Sequence, residues 1–391
     1  MTTTTDGVSD PGRGREATTP SEMTWPGWKD ILWRVYSEFS EDRVTLIAAG
    51  ATFYLLLALF PALAAFVSIY GVVADPQTIA DHVAFLGGVL PSGGLELIQS
   101  QLQSLISQDP SSLSFGFLFG LALALYSANN GILTLFEAMN IAYDEAEKRG
   151  FVMRYAISLL FTLGAIIIGI LFIVSVGVVP AVLAFVGLGT VAETLISLAR
   201  WPILFAASAA AIAVLYRYGP SRERAKWRWV TWGSVLATIV WIIASVLFSW
   251  YLTNFADYNA TYGSLGAVIG FMMWTWISVI ILIFGAELNS EMEHQTARDS
   301  TTGPEKPLGA RGATMADNVG KSSDDPAAKA EAERGKAEPL RFPGQSAGKK
   351  SEPVRRPRST ESPSRAGSIA AILLPIAALG GRLFGSRRRR S

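Results

Sequence analysis

From Val44 to Glu147 the chain carries no lysine or arginine, and this stretch includes two long apolar runs. A spanning helix needs about 20 largely apolar residues, because roughly 30 Å of hydrocarbon is crossed at 1.5 Å per residue. Basic residues gather instead in short segments, 29–43, 148–154 and 217–228, and again toward the C-terminus. Cytoplasmic loops of a membrane protein retain positive charge, so this segregation reports class and orientation together. Composition agrees with a membrane protein: 50% of residues are hydrophobic, 17% are charged and the mean hydropathy is +0.33.

The sequence therefore predicts an all-α fold, a polytopic membrane helix bundle of six transmembrane helices with both termini cytoplasmic. The spans are expected at about 44–74, 113–143, 155–179, 194–218, 229–255 and 264–287 within a membrane domain 44–294. The third uncharged window, Arg154 to Glu193, is long enough for two crossings. Pro180, Gly187 and Gly189 bring the chain out of the membrane near 180, and a seventh crossing would put segment 217–228 outside. Trp227, Trp229 and Trp232 at one end of span five, with Trp250 and Tyr251 at the other, suit interfacial aromatic belts. These features place the chain in the bacterial inner membrane as a multi-pass protein.

Around this domain, residues 1–24 are polar and rich in Thr, Ser and Pro, and are expected to be a disordered tail without a cleaved signal peptide. Within 25–43, Trp28, Ile31, Leu32, Val35, Tyr36 and Phe39 recur at helical spacing, which predicts an amphipathic interfacial helix. Pro76–Gln108 carries Leu95, Ile98, Leu102 and Leu105 at helical spacing and reads either as a lid over a cavity or as a packing cap. Residues 295–391 turn abruptly to Ala, Gly, Pro, Ser and charged types, expected to form a disordered cytoplasmic tail. The end of this tail, an apolar run at 368–379 followed by Arg387–Arg390, suits attachment to anionic lipid rather than to nucleic acid.

Three stretches together point to a family. Ala48-Ala49-Gly50-Ala51-Thr52-Phe53-Tyr54 leads on to Phe60-Pro61. Phe136-Glu137-Ala138-Met139-Asn140-Ile141-Ala142-Tyr143 follows Ser127–Gly131. Tyr262-Gly263-Ser264-Leu265-Gly266-Ala267-Val268-Ile269-Gly270 precedes Gly285-Ala286-Glu287-Leu288-Asn289. Over about residues 28–292 the chain resembles the BrkB/YihY-type inner-membrane proteins, long labelled ribonuclease BN. The resemblance implies a six-span architecture more than a mechanism.

Catalytic chemistry finds little support. Nucleases need a metal cluster or a histidine acid–base pair. Here there are two histidines, His82 expected outside and His294 inside, and there are no cysteines. Phosphate-loop and dinucleotide fingerprints are absent, so no enzyme activity, cofactor or metal is expected.

Ionisable and polar groups inside spans are expensive and so mark function by default. Tyr126, Asn130, Thr134 and Glu137 fall in a stripe about 80° wide on span two, with Asn140 beside it. Glu137, Asn140, Glu287 and Asn289 are expected at one depth, either as a cytoplasmic vestibule on a substrate path or as groups that pair with Arg43, Arg154 or Arg217 to fix helix ends. Arg200 and Asp257 form a candidate structural ion pair at the outer side. Gly50, Gly263, Gly266 and Gly270 are candidates for close helix packing.

Two functional readings follow. One is a transporter or flippase-like protein for a lipid or envelope component, with membrane lipids as its partners. The other is a non-transporting scaffold recruiting cytoplasmic protein partners through the tail. No nucleic-acid partner is expected.

Overall fold

A computed structural model describes residues 11–73, 110–173, 175, 190–254 and 265–325. The chain divides into two units, 1–337 and 338–391, and every described residue lies in the first. Among the described residues there are eight α-helices: α1 (Trp25–Glu41), α2 (Val44–Val73), α3 (Pro110–Ala142), α4 (Phe151–Ile173), α5 (Thr190–Tyr218), α6 (Trp227–Asn254), α7 (Gly266–Gln295) and the short α8 (Thr314–Asp317). An isolated bridge, Ala225 to Thr301, is the one β pairing among them.

Six of these helices, α2 to α7, are long and apolar enough to cross a membrane. Helix is what such segments must form, because hydrocarbon offers no partner to an open backbone N–H or C=O. Pro61 in α2 and Pro202 in α5 are tolerated inside spanning helices because neighbouring helices, hydroxyl side chains or a local adjustment can satisfy the carbonyls they free. The helices begin and end close to the expected spans, with one difference that bears on function. α7 runs on to Gln295, well past the expected end at 287.

α3 packs along α2, and α4 lies against α3. α7 is central, touching α1, α2, α3 and α6, and α6 in turn carries α5. The main core gathers Phe136, Met139 and Tyr143 of α3, Tyr216 of α5, Val230 and Ala237 of α6, and Ile283 of α7. Outward faces are apolar, as at Leu160 and Ile170 of α4 and Ile243 and Val246 of α6, which is what lipid contact requires. Two helix ends use left-handed backbone on residues other than glycine. Arg43 (φ 52°) turns the chain from α1 into α2, and Asp144 (φ 50°) closes α3. Each conformation costs on the order of 1–2 kcal/mol, so both turns must be held by their surroundings.

Residues 11–24 and 296–325, assigned to tails from composition, are ordered against α1 and α7. Arg15 donates to the carbonyls of Gln295 (3.2 Å) and Gly320 (2.6 Å). Arg13 donates to both Asp30 oxygens (3.0 and 2.9 Å). Arg311 donates to the carbonyls of Ala297 and Ala316, each at 2.6 Å. Polar composition misled here because arginines tie these segments down, helped by a few apolar side chains such as Ala17 and Met23, which join Ile31, Val35, Trp229, Leu288 and Met292 in a small cluster. α1 departs in the same way. It buries Asp30 and Arg34 beside Ile31 and Val35, and leaves Trp25, Leu32 and Tyr36 exposed. The Pro76–Gln108 cap, residues 1–10 and 326–391 lie outside the described residues.

Candidate functional site

The last third of α7 is polar in sequence and buried in fact. From Glu287 onward Asn289, Ser290, Glu291, Glu293 and Gln295 are all enclosed. Most have dedicated partners. Asn289 accepts from the Gly233 N–H (2.9 Å) and donates to the Val230 carbonyl (3.2 Å), so it bonds α7 to α6. Glu293 takes the Arg222 guanidinium at 2.7 Å and the Ser300 hydroxyl at 2.6 Å. Glu291 pairs with Arg34, which also donates to Gln295 Oε1 at 2.8 Å and to the Lys321 carbonyl at 2.8 Å.

Glu287 differs. It is 1% exposed, and neither side-chain oxygen receives a hydrogen bond. The Asp42 carboxyl, in the turn between α1 and α2, lies within hydrogen-bonding reach of it. Two carboxylates have no hydrogen to share, so a bond between them forms only when one holds a proton. The neighbourhood is acidic throughout, with Glu38, Glu41 and Asp144 adding to Asp42 and Glu291. Burial, then the charges of Asp144, Glu41 and Glu291, pushes the Asp42 carboxyl up to about 6, against a hydrogen bond to Glu287 that lowers it. Burial pushes Glu38 up to about 8, aided by Glu291, Asp42, Glu41 and Asp144. Such raised carboxyls beside an enclosed one are a recognised mark of a functional centre. Among the described residues no three His, Asp or Glu side chains are placed to hold a metal ion. What this arrangement can hold is a proton.

Other candidates from the sequence part company. Tyr126 is 63% exposed and Glu137 pairs with Arg154 at 2.9 Å while remaining 53% exposed. Asn130 donates to the Tyr126 carbonyl (2.8 Å), and Thr134 to the Asn130 carbonyl (2.9 Å). Tyr126 and Glu137 thus lie on the exposed side of α3 and Asn130 and Thr134 are half-buried, while Phe136, Met139 and Tyr143 of the same helix enter the core. Asn140 accepts from the Ser221 N–H (2.7 Å) and donates to Glu147 (3.1 Å), fixing two loops. Of the four residues expected in one vestibule, Glu287 alone has no N–H or cationic donor, its polar neighbour being the Asp42 carboxyl.

Arg200 stacks on Trp201 at 5.2 Å, and its proposed partner Asp257 lies outside the described residues, as do Gly263 and His82. A Cβ added to Gly50 or Gly270 would make ordinary contacts, at 3.8 and 4.0 Å. The closest helix approach is elsewhere, at Gly233 of α6 and Gly285 of α7. A Cβ on Gly233 would meet Asn289, and the Gly285 carbonyl at 2.5 Å. Glu38, Arg34 and Glu291 were also missed. For the two acids the signal was acid repeated at i, i+4, Glu38–Asp42 and Glu287–Glu291, an arrangement that disfavours a solvated helix.

Residues 35–309 match the family described as virulence factor BrkB. Relatives include the Bacillus subtilis protein YfkH, which bears a ribonuclease-like name and is 31% identical over 66% of this chain and 94% of its own length. A UPF0761 membrane protein of Idiomarina loihiensis is 24% identical over 68% of this chain and 95% of its own. Another, from Haemophilus influenzae, is 23% identical over 67% and 94%. No solved structure matches. The match covers the turn that carries Asp42, the helix that carries Glu287 and the spans between them, and the chain belongs to the BrkB family as a multi-pass bacterial membrane protein.

Proposed function

We propose that this protein is a transporter or flippase-like carrier of a lipid or other amphiphilic envelope component, with its basic end in the cytoplasm. The Glu287–Asp42 pair is the element whose charge changes during its cycle. The observation that carries this reading is the enclosed Glu287 carboxyl without a hydrogen-bond donor. Ionising both members of an enclosed carboxyl pair costs several kcal/mol, so the pair is poised to keep or release a single proton. With a proton shared between them, Glu287 and Asp42 are held together and α7 stays closed on the α1–α2 turn. Without it, their repulsion, joined by Glu38 and Glu291, favours parting α7 from that turn. A two-state element of this kind is what alternating exposure of a site needs.

The test is movement of a headgroup-labelled phospholipid across vesicles containing the purified protein, read by quenching of the outer leaflet. A wild-type rate well above empty vesicles, reduced at least tenfold by Glu287→Gln, supports the carrier. Wild-type vesicles no faster than empty ones would refute it. The scaffold alternative draws on the region beyond Asp325. It expects cellular function to fail when 326–391 are deleted, whereas the carrier should keep working.

A further inference from the structure

Arg217, at the end of α5, stacks on the first residue of α6. Its guanidinium carbon is 4.3 Å from the Trp227 ring centroid and 5.6 Å from that of Tyr218. Arg224 lies over the same tyrosine at 5.0 Å. The two rings meet edge to face, 6.4 Å apart. Nε and Nη1 of Arg217 are shut off from solvent and have no acceptor. Enclosed Nε atoms without an acceptor also occur at Arg15, Arg154 and Arg200, but among the described residues Arg217 has two such nitrogens, whereas Arg34, Arg222 and Arg311 donate to carboxylate or carbonyl oxygens. Glu223, the neighbour of Arg224 in sequence, has its Cγ packed toward Gly312, and no ion pair joins it to either arginine. The site is also held in place, since Arg149 donates to the carbonyls of Tyr218 (3.3 Å) and Gly219 (2.8 Å).

Two guanidinium groups on one aromatic pair, Arg217 half-buried and Arg224 exposed and neither paired with a carboxylate, describe a place for an oxyanion on their solvent-facing side. Its setting identifies the source. Exposed apolar side chains of α5 and α6 reach this level, with Val214 one turn before Arg217, and Trp227 itself and Trp232 in the first two turns of α6. Acyl chains lying on those side chains would bring a headgroup to Arg217. We propose that Arg217, Tyr218, Arg224 and Trp227 form a binding site for the phosphate of an anionic glycerophospholipid. The site is separate from the Glu287 centre and does not depend on the carrier reading.

The test is native mass spectrometry of the full-length protein in detergent, titrated with phosphatidylglycerol or with phosphatidylcholine. Wild type should bind the first phosphatidylglycerol at least tenfold more tightly than phosphatidylcholine. Arg217→Gln should abolish that preference, and Arg224→Gln should weaken it several-fold. Arg298→Gln, an exposed arginine paired with Glu16 away from the stack, should keep it. Arg224 is exposed, so its variant decides the matter if Arg217→Gln does not fold. Equal preference in wild type and Arg224→Gln would overturn the site. Displacement of the lipid by millimolar inorganic phosphate would overturn the lipid assignment in favour of a soluble phosphate.

Discussion

Glu38 sits on α1 facing Asp42, Glu41, Glu291 and Asp144, while Arg34, one turn earlier, is committed to Glu291. Burial and these charges move its carboxyl from 4.5 to about 8. In the unfolded chain the group releases its proton near 4.5, whereas in the folded protein it holds it to about 8. Between those values the folded state binds more protons, so stability falls as pH rises through the window and levels off above it. At 1.36 kcal/mol per pH unit the full effect would be about 5 kcal/mol. Solvent reaches this part-buried side chain, and screening reduces the figure to about 2 kcal/mol.

Glu38→Gln removes the effect. At pH 8.5 the variant should melt about 4–8 °C above wild type, taking roughly 2–4 °C per kcal/mol. At pH 5 the two should nearly coincide. Differential scanning fluorimetry of the detergent-purified proteins across pH 5–9 reads this directly. A variant that melts lower at pH 8.5, or whose difference from wild type is the same at both pH values, would refute the acidic-cluster reasoning.

Arg34→Ala leaves Glu291 buried without its cation and should cost about 3–5 kcal/mol, visible as a lower melting temperature and faster tryptic cleavage at Arg311. Gly285→Ala drives a methyl against the Tyr216 hydroxyl and to 2.8 Å from Ala237 Cβ, so it should destabilise by about 1–3 kcal/mol. Gly50→Ala and Gly270→Ala, which have room for the added carbon, should change the melting temperature far less. Glu137→Gln removes an exposed ion pair and should shift stability by no more than about 1 kcal/mol. It should also leave lipid movement unchanged if Glu287 is the centre.

The spanning architecture was legible because long uncharged runs have few alternatives. Val44 to Val73 and Trp227 to Asn254 begin within two residues of their expected positions. The site was legible only in part. Glu287 stood out as an acid at the end of an apolar run, but that run was expected to stop there. Periodicity of apolar residues cannot follow a helix into a buried polar segment, and Asn289, Glu291 and Glu293 are buried through partners distant in sequence. The polar stripe on α3 shows the complementary limit. A shared helical face says which residues lie together, not whether the face turns inward, and α3 directs Phe136 and Met139 to the core instead. Order in 296–325 was invisible because Arg311 gathers carbonyls, an interaction that leaves no trace in composition.

The central claim is that Glu287 and Asp42 hold one proton between them. Infrared difference spectroscopy of the reconstituted protein, wild type against Glu287→Gln at neutral pH, tests it most directly. The account predicts a protonated-carboxyl C=O band in wild type that is lost in the variant, over any band from Glu38 that both retain. Spectra with no such difference would mean that the enclosed carboxyl carries no shared proton, and the proposed switch would fall.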